Sequence, residues 1–235
     1  MTAFYFVSDT HLRPDCPERG RRLARLVASL TARDRLYLLG DICDFWFSSR
    51  RRPGEERNCP GLTALAEFSR AGGAITVLPG NHDRWLGPFY ENELGATVIN
   101  QPTHDMIVHG LRLHLAHGHL LGSRAFWKGA MESAAFFHGF RLMPTPVARR
   151  LEKLLDCSNA ATNQKSNQRH LVTFRRYADA LAGQADMIIL GHVHLRLDEA
   201  ERSPRLVVLG DWREGASYLR VDARGASFQV DTENT

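Results

Sequence analysis

The chain of 235 residues is 43% hydrophobic, and it carries a formal net charge of +4 with a pI near 9.1. Its apolar runs fall short of the roughly 20 residues that span a bilayer, and its first residues lack a signal-peptide pattern. We therefore expect one cytoplasmic domain with a well-formed core and, from four scattered cysteines, reduced thiols. The positive charge fits an anionic partner, whether phosphate, nucleic acid or a membrane surface.

Five apolar runs predict buried strands, and each run leads into residues of the types that ligate metal ions. The runs are residues 3–7, 37–39, 74–78, 113–116 and 187–190, followed in turn by Asp9 and His11, by Asp41, by Asn81 and His82, by His117, and by His192 and His194. In open α/β sheets, ligands collect beyond the carboxyl ends of the strands. We therefore predict a metal site at one sheet edge, centred on Asp41.

The segments between these strands predict helices, a loop and an insertion. Helices are expected at about residues 18–31 and 62–71, with an exposed loop over residues 48–61. From residue 120 the β pattern gives way to mixed aromatic and basic residues, so residues 120–165 are predicted to form a helical cap with a break at Pro144 and Pro146. The polar residues 158–167 are expected to separate the cap helices from a helix that ends near residue 182.

The order of the elements predicts the fold class. Strands alternate with helices early in the chain, and a hairpin is expected over residues 217–230. This order favours an α/β fold in which two sheets form a sandwich flanked by helices. We expect a single domain over residues 1–235, with the cap inserted within it.

The ligand types at the strand ends indicate phosphoester chemistry. Cleaving a phosphate ester or anhydride needs a nucleophile, neutralisation of phosphoryl charge and stabilisation of the leaving group. Two divalent ions about 3.5–4 Å apart can supply all three when a carboxylate such as Asp41 bridges them. Neutral histidine and asparagine ligands leave positive charge on the site to attract the substrate. This ligand mixture favours Mn²⁺, with Fe²⁺ or Zn²⁺ as alternatives.

Five motifs occur in the order of the calcineurin-like metallophosphoesterases: Asp9-x-His11, Gly40-Asp41-x-x-Asp44, Gly80-Asn81-His82-Asp83, His117 and Gly191-His192-x-His194. The chain resembles that superfamily in all five, and the resemblance implies its two-sheet metallophosphoesterase sandwich. It further implies that one ion is held by Asp9, His11, Asp41 and His194, and the other by Asp41, Asn81, His117 and His192. The implied catalytic residues are Asp41, Asn81 and His82, where His82 contacts the scissile phosphate or protonates the leaving group. Asp44 or Asp83 would hold the ligand residues in position without contacting the ions themselves.

Several segments also resemble the UDP-2,3-diacylglucosamine pyrophosphatases of lipid A synthesis, which release UMP and leave lipid X: residues 40–46, the helical insertion, residues 158–166 and residues 208–212. This resemblance implies that the substrate is bound by His82, His194, Ser158, Thr162, Asn163 and Lys165. It also implies that the cap houses acyl chains of a nucleotide-linked lipid and contacts the inner-membrane surface peripherally. Those enzymes carry Arg in place of His82 and commonly Asp in place of His119, so another phosphoester is an alternative substrate.

The sequence offers three rival functions, and each of them requires a particular feature. A phosphodiesterase or phosphatase acting on nucleotides would need a polar, open pocket instead of an apolar tunnel. A binding module built on a degenerate site would need missing ligands, and all five motifs are complete. A nuclease would need an aromatic and basic groove, of which net charge is the only sign, so no nucleic-acid partner is expected.

Overall fold

The computed structural model describes residues 2–50, 52, 54–121, 133–213 and 215–231, without the side chains of residues 134 and 152–166. Its strands are β1 (Phe4–Val7), β2 (Arg35–Leu38), β3 (Ala74–Val77), β4 (Thr97–Val98), β5 (Thr103–Val108), β6 (Leu111–Ala116), β7 (Met187–Leu190), β8 (Leu197–Glu199), β9 (Arg205–Val208), β10 (Ala216–Asp222) and β11 (Gly225–Asp231). Its helices are α1 (Pro17–Ala28), α2 (Phe45–Arg50), α3 (Pro60–Arg70), α4 (Gly87–Asn92), α5 (Ala134–Leu142) and α6 (Thr145–Ala180), with a 3₁₀ helix at Glu55–Asn58. None of these described helices is both long and apolar enough to cross a bilayer.

Parallel strands form the centre of both sheets. In the first sheet, ordered β11-β10-β1-β2-β3-β4, strands β1 to β4 are parallel and β10 is antiparallel to both of its neighbours. In the second, ordered β5-β6-β7-β9-β8, the parallel strands β6, β7 and β9 are flanked by antiparallel β5 and β8. Because parallel strands end at the same edge of a sheet, the residues that follow them are brought together.

Both faces of each sheet pack against apolar side chains and are buried. Phe6 and Leu39 from the first sheet and its strand ends pack with Leu115 and Ile189 of the second sheet in the centre of the sandwich. Helices α1, α3 and α4 cover the outer face of the first sheet. The C-terminal part of α6 covers the outer face of the second sheet, where Phe174 is fully buried. The result confirms the predicted α/β sandwich of two sheets flanked by helices.

Two local expectations are wrong. Residues 48–61 are not simply a loop, because the end of α2, the 3₁₀ helix and the beginning of α3 lie within them. The carboxylate of Asp44 accepts a hydrogen bond from the backbone N–H of Phe47 at 3.0 Å and so caps α2. The polar residues 158–167 do not interrupt a helix either, since α6 continues through them.

The predicted cap lies between two adjacent parallel strands. Helix α5 and the beginning of α6 follow β6 and precede β7, and the two helices meet at a break formed by Met143 and Pro144. Residues 122–132 of the expected cap lie outside the described residues. The assignment of residues 120–165 as a cap stays a prediction.

Candidate metal centre

The polar residues that follow the strands meet at one end of the sandwich, and four of them have an unusual backbone. The φ angle is +52° at Asp9, +44° at His11, +52° at Asp41 and +67° at His192. Left-handed backbone is rare for residues other than glycine, although Asp and His adopt it more often than most. Such residues are concentrated at functional sites, where surrounding contacts hold the strained conformation.

Asp9, His11 and His194 form a first group of potential ligands. Their ligand atoms lie within 4.8 Å of one another, and the Nε2 atoms of the two histidines are 3.2 Å apart. The buried Oδ1 atom of Asp9 lies 3.9 and 3.8 Å from these nitrogens and has no hydrogen-bond partner in the described part of the chain. A buried carboxylate oxygen without a donor is costly, and a divalent cation held by these three atoms would satisfy it.

Asp41, His117 and His192 form a second group with the same 4.8 Å limit. The Nε2 atom of His117 lies 3.4 Å from Asp41 Oδ2 and 3.3 Å from the side-chain oxygen of Asn81. Asp41 also forms a third group with His82 and with His11, which is a member of the first group. The Asp41 carboxylate therefore lies between the two groups, which is the position required of a bridging ligand.

Burial controls the charge of these side chains. It lowers the pKa of His11 well below its usual value and that of His194 to about 4, which keeps both imidazoles in the neutral form that ligates metals. Burial disfavours the imidazolium of His117, yet the adjacent Asp41 carboxylate raises its pKa to about 10. Burial also raises the pKa of Asp9 to about 8, although His117 opposes this effect. The negative charge of Asp41 and the positive charge of His117 thus stabilise each other.

Asp83 joins the two loops that carry Asp41 and Asn81. Its fully buried carboxylate accepts hydrogen bonds from the backbone N–H of Gly80 on Oδ1 at 2.7 Å. Oδ2 accepts from the backbone N–H of Ile42 and from the hydroxyl of Tyr90, each at 2.7 Å. Asp83 therefore fixes the loop after β2 against the loop after β3.

Gly40 allows the same two loops to approach each other closely. Its φ angle of +83° lies in the left-handed region, where L side chains are strained. A Cβ atom at this position would lie 2.6 Å from the backbone nitrogen of Gly80 and 2.6 Å from Nδ1 of His117. This is why glycine precedes Asp41 in the motif.

His82 lies on the open side of the ligand groups. Its backbone N–H donates to Asp41 Oδ1 at 2.8 Å, and its ring lies 4.9 Å from that of His11. The His82 side chain is 35% exposed, whereas its Nδ1 atom is buried and has no hydrogen-bond partner among the residues described. The imidazole can therefore reach a group that enters the site from solvent. His119, by contrast, packs its ring 5.2 Å from that of His117.

Aromatic rings of α5 pack against the ligand loops. Phe45 lies next to Asp44 in the loop after β2, and its ring centroid is 5.9, 6.2 and 5.0 Å from those of Phe136, Phe137 and Phe140. Trp85, in the loop after β3, lies 6.0 Å from Phe137 and is 39% exposed. We call these five rings the aromatic wall, because they form an apolar surface connected to both ligand loops.

The other predicted substrate residues are Ser158, Thr162, Asn163 and Lys165. Their backbone belongs to α6, whereas their side chains lie outside the described residues. Their role in substrate binding stays a prediction.

Comparison with known proteins identifies the family. The model of the calcineurin-like phosphoesterases matches residues 2–196. The chain belongs to the calcineurin-like phosphoesterase family. It is therefore a metal-dependent phosphoesterase, as the motifs predicted.

Its similar proteins include UDP-2,3-diacylglucosamine hydrolases from several bacteria. The one from Stenotrophomonas maltophilia is 29% identical, and the alignment covers 96% of this chain and 97% of that protein. The one from Azotobacter vinelandii is 25% identical over 96% of this chain and 98% of its own length. A solved structure of an archaeal phosphodiesterase aligns with 97% of this chain and 99% of its own, at 15% identity and a TM-score of 0.47.

Sequence reasoning missed the groups that contact the outer nitrogens of the histidines. In this phosphoesterase the backbone carbonyl of Leu39 accepts from His117 Nδ1 at 2.7 Å, which turns Nε2 toward Asp41. Asp211 Oδ2 lies 3.5 Å from His194 Nδ1, and Arg213 Nη2 lies 2.7 Å from the same atom. Asp211 could have been found, because it follows β9 in a Gly-Asp pair as Asp41 follows β2.

Proposed function

We propose that this phosphoesterase is a dinuclear hydrolase of a phosphoanhydride, with Mn²⁺ as its preferred metal. The observation that carries the proposal is the position of Asp41, whose carboxylate groups with His117 and His192 and also with His11 of the first group. One ion would be held by Asp9, His11, Asp41 and His194, and the other by Asp41, Asn81, His117 and His192. Bound there, the ions would lower the pKa of a water molecule and neutralise phosphoryl oxygens.

The residues of the chain position the metal ligands and donate to the leaving group. Asp41 and Asn81 hold fixed positions because Asp83 braces their loops. His82 faces solvent beside the ligands, so its imidazole can donate a hydrogen bond or a proton to the leaving phosphate.

We propose UDP-2,3-diacylglucosamine as the substrate, cleaved to UMP and 2,3-diacylglucosamine 1-phosphate. The full-length similarity to UDP-2,3-diacylglucosamine hydrolases supports this choice. The exposed ring of Trp85 in the aromatic wall supports it as well, because acyl chains need an apolar surface and Trp85 lies in one of the ligand loops. Ser158, Thr162, Asn163 and Lys165 would contact the sugar and its phosphate from α6.

The test measures UMP release with Mn²⁺ from UDP-2,3-diacylglucosamine and from UDP-N-acetylglucosamine, which lacks the long acyl chains. We expect the acylated substrate to react at least about 100-fold faster, since burying several methylene groups contributes about 0.8 kcal/mol each. Asp41→Asn should abolish hydrolysis of both substrates while the circular dichroism spectrum is retained. Equal rates on the two substrates would remove the lipid assignment and favour a phosphodiesterase or phosphatase acting on nucleotides.

We further propose that the turn between α5 and α6 contacts the inner-membrane surface peripherally. Leu142 at the end of α5 and Val147 at the beginning of α6 are 84% and 54% exposed on either side of this turn, and basic Arg141 and Arg150 lie near them in the chain. Exposed apolar residues flanked by arginines are typical of segments that enter the headgroup region of anionic bilayers. Sedimentation with vesicles of phosphatidylglycerol should carry the protein down, and Leu142→Glu with Val147→Glu should release it. Retained binding by that double variant would exclude this turn as the contact.

A further inference from the structure

The guanidinium of Arg213 lies on the outer side of His194, away from the ligand groups. Arg213 Nη2 is 2.7 Å from His194 Nδ1, and Arg213 Nε is 2.8 Å from Asp211 Oδ2. The Arg213 side chain is 48% exposed, so it lies at the rim of the site next to solvent. Two groups thus compete for one imidazole nitrogen, His194 Nδ1: the cationic donor Arg213 and the carboxylate acceptor Asp211.

The contact between Arg213 and His194 defines the tautomer of the imidazole. An arginine side chain only donates hydrogen bonds, so Nδ1 of His194 has to accept and the ring proton of neutral His194 resides on Nε2. Nε2 is the atom that faces Asp9 and His11. A histidine that ligates a cation through Nε2 needs its lone pair there and its proton on Nδ1.

Ligation by His194 and the Arg213 contact therefore exclude each other. With the proton on Nδ1, the natural acceptor is Asp211 Oδ2, which is 3.5 Å away. Two N–H groups cannot share a hydrogen bond, so Arg213 has to withdraw its Nη2 from His194. The exclusion follows from donor and acceptor chemistry at a single nitrogen.

The backbone around Arg213 is held in place by other arginines. Arg22 of α1 donates through Nη1 to the carbonyl oxygens of Trp212 and Arg213, both at 2.8 Å. Arg196 donates through Nη2 to the carbonyl oxygens of Asp211 and Gly215 at 3.2 and 2.9 Å. Because Arg22 and Arg196 bind the backbone, the group that has to move is Nη2 of Arg213, while Arg213 Nε lies 2.8 Å from Asp211 Oδ2.

We propose that cation binding at His194 frees Nη2 of the Arg213 guanidinium to bind a phosphoryl group of the substrate. The inference rests on the proposed metal site and adds an anion-binding residue to it. The guanidinium carries a full positive charge at the rim of the site, and its planar donors match the oxygens of a phosphate. The enzyme would then acquire this phosphate-binding group only when it is loaded with metal.

The experiment compares wild type, Arg213→Met and Asp211→Asn by calorimetric titration of metal-free protein with Mn²⁺. Arg213→Met removes the competing donor and should tighten Mn²⁺ binding by about five- to tenfold. Asp211→Asn removes the acceptor for His194 Nδ1–H and should weaken Mn²⁺ binding by about 10- to 100-fold. Inorganic phosphate should bind Mn²⁺-loaded Arg213→Met at least about tenfold more weakly than it binds loaded wild type. Arg224→Met, an exposed arginine in the β10–β11 turn, serves as the matched control and should change neither affinity.

A second readout separates the tautomer from the simple loss of a positive charge. In wild-type protein, the ¹⁵N shifts of His194 should report a proton on Nε2 without metal and on Nδ1 with diamagnetic Zn²⁺. A Nδ1 proton in both states, or unchanged Mn²⁺ and phosphate affinities in Arg213→Met, would overturn the inference. If wild type itself fails to bind Mn²⁺, the proposed metal site fails instead, so the two failures are distinguishable.

Discussion

Removing the hydroxyl of Tyr90 tests the brace between the two ligand loops. Tyr90 is fully buried in the apolar core beneath the first sheet, and its hydroxyl donates to Asp83 Oδ2 at 2.7 Å. Tyr90→Phe keeps the ring and removes this donor, together with the contact between the hydroxyl and the Cys43 thiol. After the substitution Oδ2 retains the N–H of Ile42 at 2.7 Å and a longer contact with that of Cys43 at 3.4 Å.

The magnitude follows from the charge and burial of the acceptor. A hydrogen bond to a charged group contributes about 1.5–3 kcal/mol to the free energy of unfolding. For a chain of 235 residues, each kcal/mol corresponds to about 2–4 °C in melting temperature. Tyr90→Phe should therefore lower the melting temperature by about 3–12 °C. Because Asp83 also fixes the loops that carry Asp41 and Asn81, Mn²⁺ should bind several-fold more weakly.

The assay is thermal unfolding by circular dichroism in EDTA, with Mn²⁺ titration as the second measurement. Tyr218→Phe is the control, because the hydroxyl of Tyr218 makes no hydrogen bond to the described residues, and its melting temperature should change by less than about 1 °C. Asp83→Asn should lower the free energy of unfolding more than Tyr90→Phe does, since it replaces an acceptor oxygen with a donor. The double variant should lose less free energy of unfolding than the two single variants lose when their losses are added. An unchanged melting temperature in Tyr90→Phe would refute the argument that Asp83 depends on this donor.

Three further outcomes are expected. Saturating Mn²⁺, at about 100 times its Kd, should stabilise the wild type by about 2.7 kcal/mol and raise its melting temperature by about 5–11 °C, and EDTA should reverse the shift. Although burial opposes it, hydrogen bonds from Thr31 lower the pKa of Asp34 below 3.8, so this carboxylate stabilises the fold above that pH and the contribution is lost as pH falls through its folded pKa. Asp34→Asn should therefore cost about 1–3 kcal/mol at pH 7 in urea unfolding, and the difference from wild type should shrink below pH 3.8. Arg50 donates to the carbonyl oxygens of Phe140 and Met143 at 2.7 and 2.9 Å, so Arg50→Met should speed proteolytic cleavage around α5 several-fold without moving the global unfolding midpoint by more than about 2 °C.

The strand pattern was predictable because each apolar run has a sharp boundary. The runs that lead into Asp9, Asp41, Asn81, His117 and His192 all form strands, and the observed ends differ from the predicted ones by at most two residues. A buried parallel strand needs continuous apolar sequence, and its loop begins where glycine or a polar residue appears. The protein family could be predicted from the same residues, because both their types and their order along the chain are specific to that family.

The course of α6 was harder to predict, because hydrophobic periodicity is a weak guide to a helix that is exposed along part of its length. Residues 158–167 contain neither glycine nor proline, so nothing in them stops a helix that enters from residue 145. The prediction took polar character as a sign of a loop. The absence of helix breakers was the better indicator, and it was available in the sequence.

The backbone of the site could not be derived from any single loop. Each left-handed residue costs about 1–3 kcal/mol, and local sequence offers no compensation within its own loop. The compensation comes from the neighbouring loops: His11 N–H donates to the Asp41 carbonyl at 2.9 Å, and His192 N–H donates to Asp9 Oδ2 at 2.9 Å. Every one of these bonds joins residues that are at least 30 positions apart, so the conformation exists only when the sandwich has assembled. The types of the ligand residues can therefore be predicted from the sequence. Their geometry cannot, because it depends on contacts that form only in the complete fold.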